Sequence, residues 1–179
     1  MNCVFRTVVV GLLAVGSYSA WARVEVVFLE RIRRDGTVVE LEPGGRFVHA
    51  AVSFQGQWIS THPIRGVELV PLDRLAVFGR VTAKLAKEDE PELEEAIVRK
   101  ALGKKYDAGF DWSDDEKFYC SEFIAKLFGI EPLPMDFASP PWPESYAKLR
   151  GKPGLSPDEL YVGLKQKGFR LEGSLVRAH

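Results

Sequence analysis

Two cysteines occur in this 179-residue chain, Cys3 and Cys120, and the second stands in the run "FYCSEFIAKLF" at 118–128. Cys3 falls in a segment that has the features of a removable leader, which leaves Cys120 without a disulfide partner. A lone thiol placed where loop becomes helix has a chemical use. The unsatisfied N–H groups and partial positive charge of a helix N-terminus favour a thiolate and lower its pKa. Cysteine chemistry needs that thiolate, a base to move its proton, and a third group to orient the base.

The histidines are the candidates for the other two roles. There are three, His49, His62 and His179, and the last is the chain's final residue, which is set aside. His49 and His62 flank a hairpin. A two-residue turn at Gln55–Gly56 pairs Phe54 with Gln57, Ser53 with Trp58 and Val52 with Ile59. Continued, the register runs through Ala51–Ser60 and Ala50–Thr61 to His49–His62. Directly opposed residues share a face with Cβ atoms ~5 Å apart, so the two imidazoles come within hydrogen-bonding reach. A one-residue slip sends one ring to the other face. Plainer readings stand beside this one. A lone cysteine is most often a small buried hydrophobe, and a strand histidine is usually structural. A zinc site of Cys and two His lacks the C-x-x-C or H-x-x-x-H spacing such sites favour.

The elements that must position these residues read as follows. "VEVVFLERI" and "TVVEL" are β-branched runs on either side of Asp35–Gly36, a hairpin signal. "RFVHAAVSF" and "WISTHP" are the arms of the histidine hairpin. "LAVFGRVTAKL" at 75–85 reads as a further strand, with Gly79 as a bulge. "KEDEPELEEAIVRKALGKKY" predicts a helix of about three turns whose inner face holds Leu93, Ile97 and Ala101. A polar and aromatic loop then leads to the Cys120 helix, with Phe123, Ile124, Leu127 and Phe128 on its apolar face and Gly129 ending it. The proline-rich stretch 131–146, with Phe137 and Trp142, reads either as an ordered surface loop or as one wall of a groove. Ser156, Pro157 and Glu159 mark the N-terminus of a last helix by N-cap, first-turn proline and capping box. "FRLEGSLVR" is expected as a closing strand. Strands and helices mixed in this order make an α+β domain.

The ends and the composition set further bounds. Arg6, an apolar run from Val8 to Val15 and the small-residue pattern at Ala20 and Ala22 form a secretory signal over residues 1–22. That run is too short for a span, which needs ~20 residues. The expected mature chain is a single domain, 23–179. At 46% hydrophobic and 27% charged, with net charge −1, the composition is that of an ordinary globule. No basic face argues for nucleic acid. There is no cofactor signal. The expected location is outside the inner membrane, in the periplasm.

Over about Phe47 to Leu127, and more weakly to "SPDELY", the sequence resembles the YiiX/YaeF-like branch of the permuted papain-like, NlpC-type cysteine amidases. The residues that carry the likeness are "KKYDAGFDWSDDEKFYCSEF", "HAAVSF" and "VELVPL" at 67–72. The resemblance implies a circularly permuted papain-like fold, an antiparallel sheet or partial barrel packed against helices, in which the histidine strand precedes the cysteine helix. It makes Cys120 the nucleophile, His49 the general base and His62 the polar third residue, where many relatives have a carboxylate. Glu68 and Asp107 are the alternative carboxylates. Tyr106 lines the site near the oxyanion, and the Ser121 N–H helps to bind that oxyanion. The region 24–41 departs from the family's usual "G-D-hydrophobic" opening.

What the resemblance implies for function is an exported cysteine hydrolase that cleaves peptide or isopeptide amide bonds through a thioester. Peptidoglycan stem peptides are the expected substrate. Two alternatives differ in class. One is an acyltransferase or lipid hydrolase, as in the similar lecithin:retinol acyltransferases. The other is a silent cell-wall-binding domain with an ordinary thiol.

Overall fold

A computed structural model describes residues 21–91 and 95–172. Residues 1–20, with Cys3 and most of the expected leader, lie outside these, as do Leu93 and His179. The leader's expected end, Ala22, falls inside the first strand.

The strands are β1 (Trp21–Glu30), β2 (His49–Phe54), β3 (Gln57–His62), β4 (Gly66–Val70) and β5 (Arg80–Pro91). A helix α1 (Glu95–Ala101) follows, then the short β6 (Lys105–Tyr106) and β7 (Lys117–Phe118). The cysteine helix is α2 (Cys120–Leu127). After it come β8 (Leu133–Pro134), β9 (Pro153–Gly154), α3 (Pro157–Gln166) and β10 (Arg170–Leu171). Six strands form one antiparallel sheet in the order β10-β5-β1-β2-β3-β4.

Strand alternation divides the core in two. Val26, Phe28, Ala50, Val52, Ile59 and Leu85 face α2 and α3, meeting Phe123, Ile124, Leu160 and Leu164. Val27, Leu29, Ala51, Trp58 and Val70 face the other way, onto Leu75 and Phe78. Each buried Val, Leu, Ile or Phe among these contributes on the order of 2 kcal/mol, so the sheet is fixed from both sides.

The histidine hairpin turns as its sequence dictates. Gln55 and Gly56 take φ of 47° and 75°, the two positive values of a type I′ turn. Phe54 opposes Gln57, Ser53 opposes Trp58 and Val52 opposes Ile59. There the paired ladder ends, short of the expected His49–His62 pair. β2 stays with β1 up to Leu29 opposite His49, while β3 stays with β4 up to His62 opposite Gly66. The hairpin therefore opens toward its histidine ends.

The Asp35–Gly36 turn forms, but beyond it only Ile32 and Val38 bridge, because β2 and β5 already occupy both edges of β1. Leu72–Val77 is a 3-10 turn rather than the start of a strand. The β1–β5 ladder shifts register twice, between Ala22 and Val24 and between Phe28 and Leu29, and not at Gly79. Gly79 instead permits a close approach of two backbones, since a Cβ there would stand 2.1 Å from the Glu30 carbonyl oxygen. The acidic "KEDEP" extends β5 instead of opening a helix, because β1 is long enough to pair it through Trp21 opposite Pro91. The described α1, Glu95–Ala101, buries Val98 and Ala101 and leaves Ile97 exposed. α3 starts as expected, with Ser156 accepting the Glu159 N–H at 3.0 Å and Glu159 accepting the Ser156 N–H at 2.8 Å.

Candidate active site

Cys120 is the first residue of α2, after an extended Tyr119. The helix start is fixed from several directions. Glu122 Oε2 accepts the Tyr119 N–H at 3.2 Å. The Ser121 hydroxyl donates to the Leu155 carbonyl at 2.6 Å, and the Leu155 N–H donates to the Tyr119 phenol oxygen at 3.1 Å. Glu122 is fully buried, and its carboxyl is pushed up to about 7 by that burial, against the opposing ammonium of Lys126 at 3.0 Å.

Cys120 is 8% exposed. Backbone hydrogen bonding from Ala50 and Ser121 favours the thiolate, yet burial outweighs it and pushes the thiol up. The expected lowering by the helix N-terminus is thus not the net result. The Ala50 contact locates the sulfur. Opening of the β2–β3 hairpin leaves Ala50 outside that ladder, and the N-terminus of α2 brings Cys120 to it.

His49, the residue before Ala50, is buried at 3% exposure. Its ring stacks on Phe78 at 3.7 Å between centroids and 12° between planes. Its Nε2 lies 2.9 Å from the Ser60 hydroxyl oxygen. Burial first, and His62 second, lower its pKa to about 3, so the imidazole is neutral at rest. His62 is close enough to act on His49 by charge, but its own Nδ1 accepts the N–H groups of Ile64 at 3.0 Å and Arg65 at 3.3 Å. The hydrogen bond expected from His49 to His62 is made to Ser60.

The other expected residues divide. Tyr106 and Ser121 line a pocket with Cys120, and burial and then the cysteine raise the Tyr106 phenol. Glu68 is committed to Arg65 by two bonds of 2.6 and 2.7 Å. Asp107 closes its own loop by accepting the N–H groups of Gly109 and Asp111. Neither carboxylate is hydrogen-bonded to His49. The proline-rich segment is more than a surface loop. Met135 and Phe137 are buried with Phe110 and Tyr119, and Trp142 donates to the Leu41 carbonyl at 2.6 Å. These apolar side chains wall the pocket, with Glu42 and Glu159 also lining it.

Ser60 is the site residue that sequence reasoning missed. Its signal was present, since it lies two residues before His62 on the same face of β3. The extended register instead sets His62 directly opposite His49.

Helices on one face of an antiparallel sheet, a cysteine opening one of them and a histidine on an earlier strand define a permuted papain-like cysteine hydrolase. The chain belongs to the permuted papain-like amidase enzyme family YaeF/YiiX, C92, whose model matches residues 25–135. It is a cysteine amidase- or peptidase-type hydrolase. Among solved structures it is similar to the crystal structure of the metalloprotein yiiX from Escherichia coli O157:H7. That likeness has a TM-score of 0.60 and 15% identity, and covers 84% of this chain and 95% of the other. No curated protein matches the chain. Among the described residues, no group of three or more His, Cys, Asp or Glu side chains is gathered as metal ligands.

Proposed function

We propose that the protein is an exported hydrolase that opens amide bonds through a thioester on Cys120, with His49 as its general base. The observation that carries this reading is the backbone hydrogen bonding of Ala50 that favours the Cys120 thiolate, Ala50 being the residue that follows His49 on β2. With Nε2 committed to Ser60, Nδ1 is the ring nitrogen left for the thiol proton.

Nδ1 of His49 takes the proton from Cys120 as sulfur attacks the carbonyl carbon, and the carbonyl electron pair moves to oxygen. Backbone N–H groups at the start of α2, that of Ser121 among them, and the Tyr106 hydroxyl are the candidate donors to that oxyanion. Collapse expels the amine, which takes the proton from His49 and leaves the thioester. Water then gives a proton to His49, attacks the thioester carbon and releases the acid, and the proton returns to sulfur. His62 acts by charge: when protonated, it disfavours a second cation on His49. We assign the sheet to the NlpC-type form of the papain-like fold.

The residue 1–22 pattern supports export to the periplasm, where peptidoglycan stem peptides supply amide and isopeptide bonds. Among the described residues, no helix is long and apolar enough to cross a membrane. The test is incubation with stem peptides, followed by mass spectrometry of products and of a Cys120 acyl adduct. Cys120→Ala should lose both. Cleavage that survives this substitution removes the mechanism.

One observation favours a second reading, acyl transfer or lipid hydrolysis. Phe110, Met135, Phe137 and Trp142 offer an apolar wall beside the sulfur. A thioester that accumulates until an amine or alcohol is added would favour this reading over hydrolysis.

A further inference from the structure

We propose that Ser60 is the positioning residue of this site: its hydroxyl oxygen accepts the Nε2–H of His49 and so fixes the tautomer that leaves Nδ1 free to take the cysteine proton. The inference rests on reading Cys120 as nucleophile and His49 as base.

The geometry supports it in three ways. First, Ser60 is 2% exposed and its Oγ lies 2.9 Å from Nε2, so water does not compete freely for the bond. Second, the Phe78 ring, parallel to the imidazole at 3.7 Å, restrains the ring's plane but does not distinguish its two nitrogens. A hydrogen-bond partner on one side is needed for that choice. Third, β2 and β3 no longer pair beyond Val52 opposite Ile59. The His49–Ser60 bond therefore links the two strands across the opening, where the backbone ladder does not.

A hydroxyl does this differently from a carboxylate. It orients the ring but brings no negative charge to stabilise an imidazolium. The titratable groups around His49 do not replace that charge. His62 on β3 is a potential cation, Glu68 on β4 is paired with Arg65, and Cys120 from α2 is the proton's source. On β1, Glu30 is paired with Arg46. The Phe78 segment brings an aromatic ring. The site thus holds a neutral base and a neutral thiol until substrate arrives.

Three variants test this: Ser60→Thr, which keeps the hydroxyl, Ser60→Ala, which removes it, and Ser60→Asp, which adds a charge. Two readouts are used on full-length protein. One is the 15N chemical shift of His49, which separates the Nε2–H from the Nδ1–H tautomer. The other is the pH–rate profile of Cys120 alkylation by iodoacetamide. Wild type and Ser60→Thr should show Nε2–H and similar profiles. Ser60→Ala should mix the tautomers and slow alkylation roughly 10–100-fold at pH 7, the loss expected of a misplaced base. Ser60→Asp should move the profile to lower pH. A Ser60→Ala protein with the wild-type tautomer and profile overturns the role of Ser60. His49→Ala serves as the control: if it too leaves the profile unchanged, the base assignment itself has failed, and if it alone changes the profile, only Ser60 has.

Discussion

Backbone hydrogen bonding from Ala50, the residue that follows His49 on β2, favours the thiolate of Cys120. This contact exists because the β2–β3 ladder ends at Val52 opposite Ile59 while α2 begins at Cys120. A hairpin that zipped to its end would commit the Ala50 backbone to β3. The arrangement links a folding feature, the opening of a hairpin, to the placement of the thiol.

His49 makes stability depend on acid. Its pKa is lowered to about 3 in the folded protein from 6.5 in the unfolded chain, so the unfolded state binds the extra proton between those values. Stability from this group is complete above about pH 6.5 and falls as pH drops toward 3, by up to roughly 1.4 kcal/mol per pH unit. Urea midpoints at pH 7, 5 and 4 should fall in wild type. The fall should be shallower in His49→Gln, and an equal slope in both proteins contradicts the neutral buried imidazole.

Glu122 has the opposite sign. Burial raises its folded pKa to about 7, so stability present below 4.5 is lost as pH rises toward 7. Glu122→Gln should remove that loss, and the difference between variant and wild type should grow across pH 4.5–7. A constant difference across that window would show that the carboxyl titrates normally.

Asp158, at the start of α3, accepts the N–H groups of Arg46 and Phe47 at 2.9–3.0 Å. It ties α3 to the segment that leads into His49. Asp158→Ala leaves two donors without this partner and should cost about 1–3 kcal/mol. Chemical denaturation measures it. A change under about 0.5 kcal/mol, the range of ordinary surface substitutions, would mean the segment is held by other contacts.

Gly79 carries the chain past the Glu30 carbonyl at a distance no side chain tolerates. It also follows Phe78, whose ring supports His49. Gly79→Ala should destabilise by at least about 2 kcal/mol and slow Cys120 alkylation, because relieving the clash moves Phe78. Full stability in the variant would show that this close approach is dispensable.

Local signals in the sequence were reliable where the chain decides locally. Gln55–Gly56 dictates its turn and the first three hairpin pairs, and Ser156 with Glu159 starts α3 unaided. Cys120 at a helix start and His49 on a strand were legible for the same reason, helped by the pattern around "YCSE". What sequence could not show depended on distant partners. "KEDEP" becomes strand only because β1 reaches it, and the proline-rich segment is buried only because Phe110 and Tyr119 offer an apolar surface. Ser60 takes the imidazole only because the hairpin opens, which no residue inside the hairpin announces.

The central claim is that His49 takes the proton of Cys120. The direct measurement is the alkylation rate of Cys120 by iodoacetamide between pH 6 and 8, in wild type and His49→Ala, with Cys120→Ala as the blank. The account predicts that wild type reacts faster by roughly 10²-fold near neutral pH, the scale of a positioned base. Equal rates across that range in proteins of equal stability would contradict it.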